Sequence, residues 1–252
     1  MATIISIINY KGGTGKTTTT LNFGAALAKK RKKVLLLDFD SQCNLSLSTG
    51  VKNSEKHLGH VLAKKATIED VIIKQDLYSI VPSTQELIDY EFAINNEPGR
   101  EFIAKEFLEP IQDLYDYILI DCPPSLGTLS INSLVAADYF IVPMQPENFA
   151  FIGLDHLIGA TMKVKNRMNP KLELAGILFV KFAYRTKFAQ AILANILSDD
   201  NLKDKLFESY IRQDISVMES PAFHKNIFEY APHSRGAKDF KNFANEFIKI
   251  YG

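Results

Sequence analysis

The sequence predicts one α/β domain with a doubly wound, mostly parallel sheet and helices on both faces. Apolar segments typical of buried strands alternate along the 252 residues with segments of helical period. Several strand segments are apolar throughout, as expected when helices cover both faces of a sheet. No repeat and no linker rich in Pro, Gly or Ser divides the chain. Strict alternation of strand and helix favours parallel pairing with right-handed crossovers.

The elements follow one another in a regular order. Strands are predicted for the segments TIISII (from Thr3), KVLLLD (from Lys33), YSIVPS (from Tyr78), YILID (from Tyr117), YFIVPM (from Tyr139) and LAGILFV (from Leu174). Helices are predicted near Thr17–Lys30, Thr84–Asn95, Glu101–Leu114, Ser130–Ala137, Gly153–Met168, Lys187–Leu197 and Gly236–Ile250. In a sheet of this type, ligands bind at the carboxyl ends of the strands. The loops after Ile8, Leu37 and Ile120 are therefore expected to meet at one edge.

Composition limits the class of protein without choosing a partner. The hydrophobic fraction is 46%, and the longest apolar runs are far shorter than the ~20 residues of a membrane helix. The N-terminus has no basic leader, and the two cysteines form no C-x-x-C pair, so we expect an intracellular, reduced protein. Lys plus Arg and Asp plus Glu both number 29. Binding to DNA or to an anionic membrane would thus require a local basic patch.

The stretch NYKGGTGKTTTT, which starts at Asn9, ends like a phosphate-binding P-loop. Its glycines allow successive backbone N–H groups to converge on an anion, and the following helix adds its positive N-terminal end. Lys16 is placed to reach the β- and γ-phosphates of a nucleotide, and the Thr17 hydroxyl to bind Mg²⁺. Tyr10 replaces the first glycine of the common pattern, and an additional lysine, Lys11, follows it.

Three acidic residues are expected beside this loop. Asp121 ends the apolar strand YILID, which is the Walker B arrangement, and is predicted to hold Mg²⁺ through a water molecule. Asp38 and Asp40 end the strand that begins at Lys33, and both can face the site. One carboxylate near Mg²⁺ and one near the attacking water would suit hydrolysis.

The segments KGGTGKTT, LLLDFDSQCN and ILIDCPPSLG, in that order, resemble the deviant Walker A ATPases, and specifically the ParA/Soj partition ATPases. The resemblance continues through ADYFIVPMQPENFAFIGL (from Ala137) and ESPAFHKNIFEYAPHSRGAKDF (from Glu219), and so spans nearly the whole chain. It begins at the P-loop, which implies the short type, a single ATPase domain over residues 1–252 without an N-terminal helix-turn-helix domain.

The resemblance implies a role for the additional lysine. Lys11 would be the signature lysine that crosses to the phosphates of a partner subunit, so that ATP stabilises a sandwich homodimer and hydrolysis releases it. Asp40 would organise the hydrolytic water, and Asp38 would support Mg²⁺ together with Thr17 and Asp121. Catalysis is thus expected to involve Lys11, Lys16 and Asp40. Predicted ATP contacts are Lys11, Gly12, Gly13, Thr14, Gly15, Lys16, Thr17, Thr18, Arg212 and Asp214.

Partition ATPases of this type bind double-stranded DNA non-specifically as ATP dimers, and a ParB-like protein stimulates their slow hydrolysis. The resemblance therefore implies a cytoplasmic, nucleoid-associated protein that segregates a plasmid or chromosome region. One DNA-binding arginine of the family matches Arg185. A second one is replaced here by Ser216, and Arg212, which is close in sequence, could substitute for it. Residues predicted to contact DNA are Arg185, Lys187, Arg212 and Arg235, with Lys181, Lys225, Lys238 and Lys241 as further candidates.

The motifs leave other functions open. A ParA-like ATPase could position another cargo, such as a protein complex. A MinD-like regulator would bind membrane through a C-terminal amphipathic helix, but the stripe of Phe240, Phe243, Phe247 and Ile248 is expected to pack on the sheet instead. Nitrogenase iron proteins and iron–sulfur assembly ATPases need cluster cysteines later in the chain. Cys43 and Cys122 lie elsewhere, so neither class fits well. A ligase such as dethiobiotin synthetase or a non-enzymatic scaffold fits the motifs less well.

Overall fold

The computed structural model describes the chain except for residues 53, 148–149, 184–185 and 201 and the side chains of residues 150 and 152. Within this part, one eight-stranded sheet forms the centre of the molecule. Its strands are β1 (Thr3–Ile7), β2 (Val34–Asp38), β3 (Ile73–Lys74), β4 (Ser79–Val81), β5 (Tyr117–Asp121), β6 (Tyr139–Met144), β7 (Glu173–Phe182) and β8 (Ile211–Arg212).

The strand order is β3-β4-β2-β5-β1-β6-β7-β8. All neighbouring strands pair in parallel except β3 and β4, which are antiparallel. Because β1, β2 and β5 are adjacent and parallel, the loops that follow them emerge at the same edge of the sheet. Asp38 is also directly paired with Asp121 in the register of β2 and β5. The predicted meeting of three loops is confirmed.

Helices cover both faces of the sheet. They are α1 (Lys16–Ala28), α2 (Asn44–Ser48), α3 (Leu58–Leu62), α4 (Ile68–Val71), α5 (Leu87–Ile94), α6 (Ile103–Leu108), α7 (Thr128–Ala136), α8 (Ala150–Arg167), α9 (Lys187–Ser198), α10 (Ile215–Glu219), α11 (Ile227–Tyr230) and α12 (Arg235–Tyr251). Successive strand residues enter opposite hydrophobic cores: Ile4 and Leu35 belong to one, Ile5 and Leu36 to the other. The predicted doubly wound architecture is confirmed.

The last helix, α12, is a structural part of the domain. Phe240, Phe243 and Phe247 have no exposed surface. The ring of Phe243 lies 4.7 Å from that of Phe23 on α1, and Phe247 packs edge-on against Tyr117 of β5 at 6.3 Å. The expectation that this aromatic stripe packs inward is confirmed. In the described part of the chain, no helix has the length and apolar character needed to cross a bilayer.

The long helix predicted for Glu101–Leu114 is wrong in extent. Only Ile103–Leu108 is α-helical there, with short 3-10 turns at Arg100–Phe102 and Glu109–Leu114. Pro110 lies in the first turn of the second 3-10 segment. Proline has no N–H to continue the α-helical ladder, and its ring clashes with the preceding turn. The α-helix therefore ends before it.

Candidate functional site

The loop between β1 and α1 forms a backbone cradle at the carboxyl edge of the sheet. Gly13 and Gly15 have φ values of +75° and +86°, in the left-handed region that favours glycine. α1 begins directly afterwards at Lys16, so its first unpaired N–H groups face the loop. The geometry is that of an anion-binding site, as the sequence predicts.

Lys16 provides a buried cation in this cradle. The residue is 7% exposed, and its Nζ donates a hydrogen bond to the carbonyl oxygen of Lys11 at 3.2 Å. Burial lowers the pKa of Lys16, while the nearby carboxylate of Asp121 acts in the opposite direction. Such a lysine can exchange its single carbonyl contact for the oxygens of a bound phosphate.

Asp121 lies at the end of β5 and is fully buried. Its Oδ2 accepts a hydrogen bond from the Thr17 hydroxyl at 2.7 Å, and its Oδ1 accepts a longer one from the Thr20 hydroxyl at 3.4 Å. Burial raises the pKa of Asp121 well above its usual range, and the neighbouring Asp38 raises it further. The first turn of α1 is thus joined to the Walker B carboxylate.

Asp38, the last residue of β2, is held from three directions. Its Oδ2 accepts hydrogen bonds from the backbone N–H and the hydroxyl of Ser46, at 2.8 and 2.7 Å. Its Oδ1 accepts one from the backbone N–H of Asp40 at 3.2 Å. Burial nevertheless raises the pKa of Asp38 to about 6. The carboxylate has a fixed position but is poorly compensated by positive charge.

Asp40 completes the acidic side of the site. It is 7% exposed, and its Oδ1 accepts a hydrogen bond from the backbone N–H of Gln42 at 3.0 Å. This bond orients the carboxylate without neutralising it. Asp40 is therefore placed as an oriented acceptor beside the metal-type acids, where it could receive a proton from water.

These residues fit Mg²⁺ bound together with a nucleotide. Three buried carboxyl groups lie near one buried lysine, and their oxygens are the ligands that Mg²⁺ prefers. No group of three His, Cys, Asp or Glu side chains forms a ready metal site among the described residues. Mg²⁺ usually takes one or two carboxylates from the protein and completes its shell with phosphates and water.

Lys11 lies outside the cradle. Its side chain is 55% exposed and forms an ion pair with Glu147, whose side chain is 44% exposed. Asn9 braces the loop, since its Nδ2 donates to the carbonyl of Pro143 at 2.7 Å and its Oδ1 accepts from the N–H of Lys11 at 3.1 Å. The two lysines of the loop are thus separated, one buried at the phosphate position and one at the surface.

A cavity of about 280 Å³ adjoins the loop at Gly15 and Thr18. Arg212 and Asp214 line it. Their polar groups are already engaged: the Arg212 guanidinium bonds Asp239 at 2.9 and 2.6 Å, and Asp214 accepts from the N–H of Ser216 at 2.9 Å. Direct contact of either residue with adenine stays a prediction.

Comparison with known proteins places this site in a family. A family model described as an AAA domain matches residues 2–174. The sporulation initiation inhibitor protein Soj of Bacillus subtilis is 35% identical over 250 residues, covering 98% of each chain. The chain belongs to the ParA/Soj family of partition ATPases. The resemblance drawn from the sequence motifs is confirmed.

Solved structures that resemble this ParA/Soj chain contain nucleotides. Cobyrinic acid a,c-diamide synthase from Mycobacterium smegmatis, with bound ATP analog and magnesium, is 28% identical with a TM-score of 0.83, covering 100% of this chain and 96% of that one. The septum site-determining protein MinD from Pyrococcus horikoshii, complexed with Mg-ADP, is 28% identical with a TM-score of 0.80, covering 100% and 98%. The predicted cofactors, ATP and Mg²⁺, agree with these ligands.

Two contacts of the ParA/Soj site escape sequence reasoning. Ser46 makes the shortest bond to Asp38, and Glu147 holds Lys11, yet neither lies in a phosphate-binding motif. Ser46 follows Asp38 by 8 positions and lies in α2. Its bond to Asp38 depends on the position of this helix, which is too short to show a helical period in the sequence. Glu147 lies 136 positions from Lys11, within the segment QPENFAF that carries the family resemblance.

The predicted DNA contacts lie on separate elements. Lys187 begins α9 and Arg235 begins α12, and both are exposed. Arg212 on β8 is held by Asp239, which neutralises much of its charge locally. Arg185 lies outside the described residues. A DNA surface built from these four arginines and lysines stays a prediction.

Proposed function

We propose that this chain is an ATP-driven switch that segregates a plasmid or chromosome region. It closes into a homodimer with ATP, binds double-stranded DNA without sequence preference, and hydrolyses ATP slowly until a ParB-like protein stimulates it. The observation that carries the proposal is the separation of the two loop lysines. Lys16 is buried at the phosphate position, while Lys11 is exposed and paired only across the surface with Glu147.

In this mechanism the cradle binds the phosphates and Lys16 moves from the Lys11 carbonyl to them. Thr17, Asp38 and Asp121 would hold Mg²⁺, which offsets charge on the β- and γ-phosphates when bound. Asp40 accepts a proton from the attacking water, or orients it, from its position fixed by Gln42. Apart from the Lys16 ammonium, each of these groups would act from the place that it occupies in the single chain.

Lys11 couples this chemistry to dimerisation. An exposed ion pair contributes little stability, typically ~0–1 kcal/mol, so Lys11 can leave Glu147 at small cost. In a facing second copy its ammonium would add positive charge to the phosphates in a site from which water is excluded. ATP then stabilises the dimer, and loss of the γ-phosphate removes the contact.

The DNA cargo is supported by sequence relatives rather than by the site. The chromosome partitioning protein ParA of Myxococcus xanthus is 35% identical over 250 residues, covering 98% of this chain and 88% of that protein. A MinD-like membrane role is disfavoured, because the aromatic stripe of α12 is buried and cannot enter lipid. A cytoplasmic protein that rides on the nucleoid fits these features best.

The test is duplex DNA binding by the Asp40→Ala variant with ATP, with ADP and with neither, over a salt series. The substitution should leave the dimer able to form but block hydrolysis, so the active state accumulates. We expect strong DNA binding only in the sample with ATP. The association constant should fall by roughly 0.9 log units per phosphate contact for each tenfold rise in salt.

Asp76→Ala is the matched control, since Asp76 is exposed and remote from the phosphate loop in sequence. It should hydrolyse ATP like the wild type and accumulate no stable DNA complex. If Asp40→Ala dimerises with ATP but does not bind DNA at low salt, the proposed non-specific DNA binding is wrong. A protein scaffold or a membrane would then be the surface to examine.

A further inference from the structure

A basic groove lies at the far end of α1 from the phosphate loop. It has a volume of about 760 Å³ and runs between the end of α1 and the helix α12. Lys29 and Lys30 line one wall, and Lys238 and Lys241 line the other. No Asp or Glu is among its lining residues in the described part of the chain. We call this feature the α1–α12 groove.

The four lysines of the groove have no ion-pair partner in the part of the chain that the structure describes. The Nζ of Lys29 instead lies 5.9 Å from the ring centre of Phe228, which also lines the groove. Lys29 and Lys30 begin the basic run KKRKK of residues 29–33. In a chain of zero net charge, this is a strong local concentration of positive charge.

We propose that the α1–α12 groove binds the phosphodiester backbone of double-stranded DNA. This inference rests on the proposed function and gives it a surface that differs from the one around Arg185. Lysines on two facing walls suit a polymer with closely spaced phosphates, and the amides of Asn242 and Asn245 add hydrogen-bond donors. An anionic membrane fits less well, because the apolar side chains of α12 are buried beneath the groove.

The position of the groove separates DNA contact from nucleotide binding. α1 has 13 residues, so at ~1.5 Å per residue its two ends are about 20 Å apart. The groove is also complete within one chain. ATP therefore does not build the DNA surface. It changes the number of grooves per particle from one to two, which increases apparent affinity through bivalency.

The experiment compares neutralised lysines inside and outside the groove. Lys238→Gln/Lys241→Gln and Lys29→Gln/Lys30→Gln each remove two charges from one wall. Lys65→Gln/Lys105→Gln removes two exposed charges from elsewhere and is the matched control. All three are made in the Asp40→Ala background with ATP, and duplex DNA binding is measured over a salt series. A fluorescent ATP analogue verifies that each variant is folded.

Because the dimer presents two grooves, each groove variant removes four lysine contacts. It should lose at least about tenfold in DNA affinity and reduce the salt slope by about four. The control should match the Asp40→Ala parent. In a Lys11→Ala chain, which is expected to stay monomeric, weak DNA binding should persist without nucleotide and disappear when Lys238→Gln/Lys241→Gln is added.

Other results would overturn the inference in distinguishable ways. If the Asp40→Ala parent binds DNA and the groove variants bind equally well, the groove is wrong but the proposed function stands. Absence of DNA binding by the parent removes both. The same variants are also tested with vesicles rich in anionic lipid. Groove-dependent binding to vesicles without binding to DNA would show that the groove binds membrane lipid and not DNA.

Discussion

At the residue scale, Thr17 joins two parts of the site that lie 104 positions apart in sequence. Its hydroxyl donates to Asp121 at 2.7 Å and is one of the oxygens proposed to hold Mg²⁺. Thr17→Ala should weaken Mg²⁺-dependent ATP binding about 10- to 100-fold, the range typical when a metal site loses one supporting group. Titration of a fluorescent ATP analogue with and without Mg²⁺ measures this.

Thr17→Ser is the control for this prediction. Serine retains the hydroxyl and removes only a methyl group, so Mg²⁺-dependent binding should remain within a few-fold of the wild type. Equal losses in the two variants would show that packing of the methyl group, and not the hydroxyl, is what the site requires.

The phosphate site is largely predictable because its determinants are local. The order of Gly15, Lys16 and Thr17 after an apolar strand specifies both backbone geometry and chemistry. The bond from Ser46 to Asp38 and the ion pair of Lys11 with Glu147 depend on the tertiary fold. No local pattern announces such contacts. The sequence therefore identifies the reacting groups more easily than the residues that hold those groups in position.

At the scale of elements, the first turn of α12 approaches α10 closely at Gly236. A Cβ built there would lie 2.2 Å from Cγ2 of Val217, a residue that lines the cavity beside the phosphate loop. Gly236→Ala should therefore lower the free energy of unfolding by about 1–3 kcal/mol, the usual cost of overpacking. Displacement of α10 should also weaken ATP binding. Denaturant titration and nucleotide titration measure the two effects.

Gly159→Ala on α8 is the matched substitution without a clash. No atom lies within 4 Å of its added Cβ, and the residue is exposed in the middle of the helix. Alanine should stabilise the protein by roughly 0.5–1 kcal/mol, because glycine loses more backbone entropy on folding. If both alanine variants shift the free energy of unfolding in the same direction, the close approach at Gly236 is not structurally important.

Elements with a clear period are predicted well, apart from the helix expected over Glu101–Leu114, whereas several of the shortest elements are not predicted. The helix predicted for Lys187–Leu197 is observed as Lys187–Ser198, because twelve residues display a clear helical period. β3 and β8 have two residues each, and α2, α3 and α4 have four or five. Segments of that length carry no measurable period. Their structure is decided by neighbouring strands and helices, as in the antiparallel pairing of β3 with β4.

At the scale of the whole molecule, the fold alone leaves more functions possible than the sequence does. Proteins of closely similar architecture include a cobyrinic acid a,c-diamide synthase and the septum site-determining protein MinD, whose names denote different roles. Both folds resemble this one, with TM-scores of 0.83 and 0.80, whereas DNA contact is proposed for a separate surface, the α1–α12 groove. Its walls lie about 200 positions apart in sequence, so only the folded chain shows them together.

In the proposed mechanism, ATP is coupled to dimerisation through Lys11. The most direct measurement is sedimentation velocity of Asp40→Ala and of Lys11→Ala/Asp40→Ala, each with ATP and with ADP. Lys65→Ala/Asp40→Ala is the control, since Lys65 is an exposed lysine outside the site. We predict twice the monomer mass of 28.3 kDa for Asp40→Ala and for the control with ATP, and the monomer for the Lys11→Ala variant. A dimer of Lys11→Ala/Asp40→Ala that forms equally well with ATP would show that Lys11 is not the coupling residue. An Asp40→Ala chain that stays monomeric with ATP would show that ATP does not drive dimerisation.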